Sequence, residues 1–187
     1  MKAIAESRII LFHKPKGVVV SRRDELGRKT IYDLLPEWVL RDGWVAVGRL
    51  DRQTRGLLLL VKDGRLVERL TRPGGFTRTY EVWVRGQVTE KHLAAIREGV
   101  PSPVGILRCV EVKILGRVGP KTHLWLILDE GKNRHIRRLF GALRDERYGT
   151  ALKVMDLKRL AFGPIQLDLP SGRWRFLSQD EQMMLSV

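Results

Sequence analysis

The chain has 187 residues, of which 43% are hydrophobic and 30% are charged; this is the composition of a globular domain and excludes a disordered one. The longest apolar run, residues 57–61, is far too short to cross a bilayer, and the single cysteine, Cys109, excludes a disulfide framework. Because the sequence carries no secretory leader, we expect a cytoplasmic protein that is not associated with a membrane.

The charge balance points to an anionic partner. Thirty-five Lys and Arg residues against 21 Asp and Glu residues give a formal net charge of +14 at pH 7. The excess lies in three blocks, residues 8–30, 48–78 and 131–147, which we expect folding to bring to one face. Arg outnumbers Lys, and Arg is the better bidentate ligand of phosphate, so nucleic acid is favoured over a merely soluble basic surface.

Apolar periodicity and turn residues predict many strands and few helices. The predicted order begins with a strand at 8–13, a turn at Lys14–Gly17, a strand at 17–21, a short helix at 31–35 that stops before Pro36, strands at 44–48 and 57–61, and a helix at 65–72. It continues with a strand at 80–86, a helix at 89–98 between Thr89 and Gly99, strands at 106–115 and 122–129, a basic helix at 132–144, and strands within 152–163 and 165–177. Ser178 and Glu181 form a weak capping box.

This irregular alternation predicts an α+β fold with a mixed, mostly antiparallel sheet and flanking helices. We expect residues 1–7 to form an N-terminal tail and residues 8–187 to form one domain. A division into two subdomains near residues 86–90 is the alternative, although no linker composition marks it.

The chain lacks the sequence signals of the common cofactor sites. Its four histidines and Cys109 show no metal-ligand spacing, which predicts no metal site. It has neither a phosphate loop nor a dinucleotide-binding glycine motif, which predicts no nucleotide cofactor.

Residues 48–56, GRLDRQTRG, are the unusual segment. Asp51 is a single carboxylate among three arginines in a loop between two predicted strands. One interpretation is an ordinary turn or capping group. The other is that the neighbouring guanidinium groups hold the carboxylate ionised, ready to act as a nucleophile or a base. The residues alone leave both interpretations open.

Residues 48–64, GRLDRQTRGLLLLVKDG, resemble the signature of the RNA pseudouridine synthases. The likeness is to the branch that modifies ribosomal RNA, which includes the small-subunit uridine enzyme. Four more segments fit the family motifs in the same order, and the resemblance spans about residues 8–178. These segments are Lys14–Gly17 (KPKG), Arg78–Tyr80 (RTY), Glu130–Arg138 (EGKNRHIRR) and Leu157–Leu177.

The resemblance implies the pseudouridine synthase catalytic fold and a cofactor-free isomerisation of uridine. Asp51 would be the catalytic carboxylate, which attacks the anomeric carbon, attacks the base or removes the ribose 2′ proton. Tyr80 would lie against the target base and Ile136 would pack beneath its ring. Lys132 matches the basic position that pairs with the carboxylate.

The resemblance also implies how RNA is held. Arg134, Arg137 and Arg138 would contact phosphates, and Arg49 would bind phosphate or act as a wedge that displaces the base. Relatives often carry a small N-terminal RNA-binding domain, whereas only about seven residues precede the first predicted strand here. We therefore expect a short, monomeric member that selects its site in ribosomal RNA, of the large subunit, through the catalytic domain.

Two other functions are compatible with this sequence. The first is a non-catalytic RNA-binding or ribosome-assembly factor with the same fold, against which the presence of Asp51, Tyr80 and Lys132 argues. The second is a glycosidase that uses Asp51 with Glu130. A charge of +14 suits RNA better than a neutral sugar.

Overall fold

A computed structural model describes residues 9–186, so the predicted tail at residues 1–7 lies outside the described residues. One nine-stranded sheet forms the centre of the molecule. Its strands are β1 (Ile9–Lys14), β2 (Val45–Ala46), β3 (Arg55–Val61), β4 (Arg78–Arg85), β5 (Glu111–Val118), β6 (Lys121–Leu128), β7 (Lys153–Phe162), β8 (Ile165–Gln166) and β9 (Trp174–Phe176). The helices are a 3-10 turn (Ile31–Asp33), α1 (Glu37–Arg41), α2 (Gly64–Thr71), α3 (Glu90–Glu98), α4 (His135–Gly141) and α5 (Gln179–Met184).

The strand order is β5-β6-β4-β7-β3-β1-β9, with β2 added beside β3 and β8 beside β7. Only β3 and β7 pair in parallel among these strands; the other pairs are antiparallel. The prediction of an α+β fold with a mostly antiparallel sheet is therefore confirmed. Residues 86–89 link β4 to α3, and strands from before and after this linker belong to the same sheet. The proposed subdomain division near 86–90 stays a prediction.

The two faces of the sheet are packed differently. One face is covered along its length by the 3-10 turn, α1, α3 and α4, around side chains such as Phe12, Val82 and Phe140. The opposite face is covered at β1 and β3, where Leu57 and Leu59 pack against α2 and the end of α5. The described residues place no helix on that face of β4, β5 and β6.

Several predicted elements differ in extent, and each difference has a local cause. The strand predicted at 17–21 is reduced to a bridge between Val19 and Thr30, because Gly17 turns the chain at a positive φ of 82°. Pro36 begins α1, which was not predicted, as its N-terminal cap. The helix predicted at 132–144 starts at His135, because Arg134 has a left-handed backbone with φ 52°.

Three more differences are small shifts of strand boundaries. The strand predicted at 44–48 is shortened to two residues in β2, and the one predicted at 106–115 lies later, in β5. The segment 165–177 holds two short strands. In contrast, the Ser178–Glu181 capping box at α5 is confirmed by reciprocal hydrogen bonds of 2.8 and 3.2 Å.

The parallel contact between β3 and β7 is short, because each strand contributes two residues before the strands diverge. Gly56 lies so close to β7 that an added Cβ would be 2.3 Å from the carbonyl oxygen of Arg159, and its φ is +118°. Beside the point where the strands diverge, the guanidinium of Arg159 donates from Nε to the carbonyl oxygen of Leu57 on β3 at 2.7 Å. Glycine is therefore required where the two halves of the sheet meet.

Replacing Gly56 with Ala tests this close approach. We expect a loss of about 3 kcal/mol in the free energy of unfolding, because the methyl group meets rigid backbone and the backbone angle is strained. Chemical denaturation measures the change. Gly64→Ala is the control: its Cβ would meet open space at the first residue of α2, so that variant should be as stable as the wild type or up to about 1 kcal/mol more stable. Equal stability for both variants would contradict this packing.

Candidate active site

A cleft of about 410 Å³ opens beside the point where β3 and β7 diverge. It brings together the site residues named from the sequence except Arg138, which does not line the cleft and donates to Oδ1 of Asn133 at 3.0 Å. The residues that line the cleft come from the 47–54 loop, β4 and the segment around the start of α4. These residues are Arg49, Asp51, Tyr80, Lys132, Arg134, Ile136 and Arg137. Their shared location is a finding of the structure, whereas their roles stay predictions.

The carboxylate of Asp51 faces arginines and does not support the loop that carries it. Its Oδ2 lies 3.4 Å from Nε of Arg137 and 3.8 Å from Nη1 of Arg134. The turn is closed instead by the backbone, where the amide of Thr54 donates to the carbonyl oxygen of Asp51 at 2.9 Å. Within residues 9–186 no backbone N–H donates to this carboxylate, which is 28% exposed and open to the cleft. The interpretation as a capping group therefore loses its support.

The partner of Asp51 differs from the expected one. Lys132 was expected beside it, but its ammonium pairs with Glu130 at 2.9 Å and donates to the carbonyl oxygen of Ile106 at 2.8 Å. Because α4 starts only after the left-handed residue Arg134, Lys132 lies in the preceding turn, and the first turn of the helix carries Arg137 to Asp51. The glycosidase alternative required Glu130 as its second carboxylate, and in the structure Glu130 is paired with Lys132.

Arg137 was expected to contact phosphate, but it is a largely buried group that joins three elements. Its side chain is 15% exposed, and its guanidinium lies near the Thr54 hydroxyl (3.5 Å) and the Val154 carbonyl oxygen (3.4 Å) as well as near Asp51. Burial lowers the pKa of Arg137 and the charge of Asp51 opposes this shift. The residue is placed to provide the counter-charge of Asp51, whereas Arg134, at 54% exposure, remains available to an incoming anion.

One wall of the cleft is flat and apolar. Tyr80 on β4 is 8% exposed, and Ile136 and Leu157 line the same space with side chains that are almost fully buried. A planar heterocycle can be held between such surfaces by stacking and by loss of apolar contact with water. The cleft therefore combines an apolar slot with an accessible carboxylate.

Lys14 is a buried residue of the site whose role sequence reasoning did not find. Its side chain is fully buried, and Nζ donates to the carbonyl oxygens of Thr54 (2.7 Å), Pro15 (3.0 Å) and Arg52 (3.4 Å). Burial lowers the pKa of Lys14 to about 8, against the opposing effect of the Asp51 charge. The lysine thereby binds two carbonyl groups of the loop that carries Asp51. A lysine that directly follows the apolar strand IILFH was the signal available in the sequence.

Two further buried arginines line the cleft and were not assigned roles. The guanidinium carbons of Arg78 and Arg159 lie 5.3 and 5.8 Å from the ring centroid of Phe162. Burial lowers the pKa of Arg78. Arg137 also lines the cleft, so three largely buried arginines place positive charge around the apolar slot.

Residues 9–186 contain no group of three or more His, Cys, Asp or Glu side chains arranged to hold a metal ion. Within the same residues, no helix has the length and hydropathy that a bilayer span requires.

Comparison with known proteins identifies the relatives of this chain. A family profile described as RNA pseudouridylate synthase matches residues 8–142. Ribosomal large subunit pseudouridine synthase B of Vibrio cholerae is 39% identical over 170 residues, covering 89% of this chain and 50% of that protein. The protein of the same name from Pseudomonas aeruginosa is 40% identical over 184 residues, covering 96% of this chain and 45% of the relative. A crystal structure of a pseudouridylate synthase superposes with a TM-score of 0.83 at 31% identity, covering 98% of this chain and 75% of that one.

The chain spans about half the length of the curated relatives it matches. Their names refer to the large ribosomal subunit, which corrects the expected likeness to the small-subunit uridine enzyme.

The buried position of Lys14 predicts a pH dependence of stability. Its pKa of about 8 in the folded state is below the ordinary value of 10.5, so between these values the unfolded chain binds the additional proton. The contribution of Lys14 to stability should therefore rise with pH from about 8 to about 10.5, by up to about 3 kcal/mol. We expect the free energy of unfolding of the wild type, relative to Lys14→Met, to increase over this range in urea denaturation.

Lys62→Met, at an exposed lysine away from the cleft, is the matched control. Its difference from the wild type should stay constant over the same pH range. A constant difference for Lys14→Met as well would contradict the buried ammonium.

Proposed function

The chain belongs to the RNA pseudouridylate synthase family, and we propose that it converts a uridine of large-subunit ribosomal RNA to pseudouridine with Asp51 as the catalytic carboxylate. The names of the relatives support the choice of RNA. The observation that carries the proposal is the accessible Asp51 carboxylate, with Arg137 as its counter-ion, in the cleft that holds the Tyr80–Ile136 slot.

The reaction is an isomerisation whose atoms balance within the nucleotide. The bond between N1 of uracil and the anomeric carbon breaks, the base turns over, C5 bonds to the same carbon, and the proton at C5 is replaced by one at N1. Attack on the sugar, attack on the base and removal of the 2′ proton all need an unprotonated carboxylate on Asp51. The slot retains the detached base by stacking while it turns.

The polar rim of the cleft suits RNA. A second groove shares Arg49, Asp51, Lys132 and Arg134 with the cleft and continues from it along the 19–28 segment, where Arg28 pairs with Asp24 at 2.6 Å. Phosphates on either side of a flipped uridine can lie along this groove, and uridine within folded RNA must be flipped to reach the slot. In this proposal Arg134 binds phosphate, and exposed Arg49 binds phosphate or fills the space left by the base.

The reaction exchanges one bond for another within the substrate and is redox-neutral, so its stoichiometry includes no oxidant, reductant or cosubstrate. The proposal retains the expectations of a cofactor-free, cytoplasmic monomer, which are separate from this balance. The non-catalytic alternative predicts RNA binding without formation of pseudouridine, and measurement of the product distinguishes the two.

Replacing Asp51 with Asn should abolish isomerisation and leave the fold intact. The amide keeps the shape of the side chain but removes its charge and basicity, and the loop is held by the Asp51 backbone rather than by the carboxylate. We expect the single-turnover rate on transcribed large-subunit ribosomal RNA to fall by at least about 10³-fold. Pseudouridine is quantified by mass spectrometry, and thermal melting checks the fold.

Asp42→Asn, at an exposed aspartate remote from the cleft, is the matched control and should retain the wild-type rate. A folded Asp51→Asn variant with the wild-type rate would overturn the assignment. Unfolding of that variant would instead return Asp51 to a structural role.

Substitutions at Tyr80 separate the ring from the hydroxyl. Phe keeps the aromatic face in the slot, whereas Leu removes it, and a base–aromatic stack contributes about 1–3 kcal/mol. We expect the single-turnover rate of Tyr80→Leu to be about 5- to 150-fold below that of Tyr80→Phe, which is the factor that 1–3 kcal/mol corresponds to. The comparison uses variants of equal melting temperature. Indistinguishable rates for the wild type and both variants would show that Tyr80 only supports the fold.

A further inference from the structure

The uncovered face of the sheet lies opposite the cleft wall. Along β4, Tyr80, Val82 and Val84 point into the core, so Glu81, Trp83 and Arg85 point to the other side. On that side α2 and α5 pack against the β1–β3 half. The helix that contacts β5 is α3, and it packs on the core face through Leu93 and Ile96. This area, which we call the back face, extends over β5, β6, β4 and β7.

The back face carries aromatic rings. Trp83 pairs in register with His123, and their rings stack with centroids 4.3 Å apart and an interplanar angle of 2°. Trp125 lies two residues further along β6, and the ammonium of Lys113 lies 5.2 Å from its ring centroid. These side chains are half-buried, so part of their surface remains accessible to water.

The acidic groups on the back face already have partners. Glu81 accepts a 2.8 Å hydrogen bond from Nε2 of His123, and Glu111 pairs with Lys113 at 2.6 Å. Asp156, which pairs in register with Trp83, binds both Arg55, at 2.6 Å, and Lys16. Cations therefore compensate Glu111 and Asp156, and Glu81 is held by a hydrogen bond to His123.

A row of three cations on the same face has no such compensation. Arg85 is directly opposite Lys121 on β6 and directly opposite Lys153 on β7, and all three are exposed. None of the three forms an ion pair with another described residue. Like charges directly opposite each other across neighbouring strands destabilise a sheet. The fold therefore maintains an unfavourable charge row that an anion would relieve.

We infer that the back face binds a single-stranded segment of RNA outside the target site, with phosphates on the Arg85–Lys121–Lys153 row and bases against Trp83 and Trp125. The inference rests on the proposed function for the identity of the polymer. Spaced cations beside aromatic rings are the general arrangement for holding single strands without sequence preference. A protein partner would need acidic side chains spaced to match the row, whereas RNA carries a phosphate at every nucleotide.

The test is a variant that neutralises the row with Arg85→Gln, Lys121→Gln and Lys153→Gln. Loss of like-charge repulsion should leave the melting temperature equal to or above that of the wild type. Affinity for transcribed large-subunit ribosomal RNA should fall by at least about tenfold, and the slope of log affinity against log salt should decrease by about 2, since each lost contact removes about 0.7. Activity on a short oligonucleotide that holds only the target uridine should match the wild type at saturating concentration.

The matched control combines Arg41→Gln, Lys62→Gln and Arg65→Gln, which removes the same charge at exposed positions on the other half of the molecule. The result that would overturn the inference is an equal affinity of both triple variants for the long RNA. Photo-crosslinking with RNA containing 4-thiouridine is the second measurement, with crosslinks expected at residues 81–85 and 121–125, which do not include Tyr80. Crosslinks confined to the cleft, or a change in self-association without a change in RNA affinity, would equally overturn it.

The two proposals fail separately. If the wild type forms no pseudouridine but the back-face variant still loses RNA affinity, the proposed function fails and the back face stands. If the wild type is active and the two triple variants bind RNA alike, the proposed function stands and the back face fails.

Discussion

The contact of Gly56 with the backbone of Arg159 determines how the rest of the structure is arranged. It joins β3 to β7 over two residues and lets them diverge, so a single sheet can have an opening in its middle. The buried guanidinium of Arg159 fills the base of that opening and bonds to β3. Three residues separate Asp51 from the start of β3, and Lys14 holds this loop by its carbonyl groups. The cleft is thus a consequence of strand geometry, and its carboxylate lies on the loop that leads into this contact.

The positive charge of the chain has two separate uses. Lys14, Arg78, Arg137 and Arg159 are buried or nearly so, and they hold backbone carbonyls, an aromatic ring or the Asp51 carboxylate. Burial of these groups lowers the pKa of Lys14, Arg78 and Arg137, which shows that their charge is maintained against a desolvation penalty. The second group consists of exposed cations, among which Arg49 and Arg134 line the cleft. The expectation that three basic blocks gather on one face is therefore only partly met, because Lys16 and Arg55 bind Asp156 on the back face.

Local sequence signals predicted what local physics decides. The capping box at α5, the limits of α3 and the alternation of β4 all depend on neighbouring residues, and the structure confirms them. The exchange of Lys132 for Arg137 beside Asp51 was not predictable, because it depends on a left-handed Arg134 that delays the start of α4. The role of Lys14 depends on carbonyl groups about 40 residues away in the sequence. The open back face is also invisible to periodicity, since an alternating strand reads the same whether its second face is covered or bare.

The pairing of β1 with β9 has a consequence for synthesis. Ile10 is opposite Phe176, so the first strand receives its outer partner 166 positions later in the chain. Until then a strand of fully buried apolar residues, IILF, has one unpaired edge, and such edges promote association with other chains. Contacts over so long a separation also slow folding. In a nascent chain of this fold, β1 therefore keeps an exposed apolar edge until the segment that contains β9 has been synthesised.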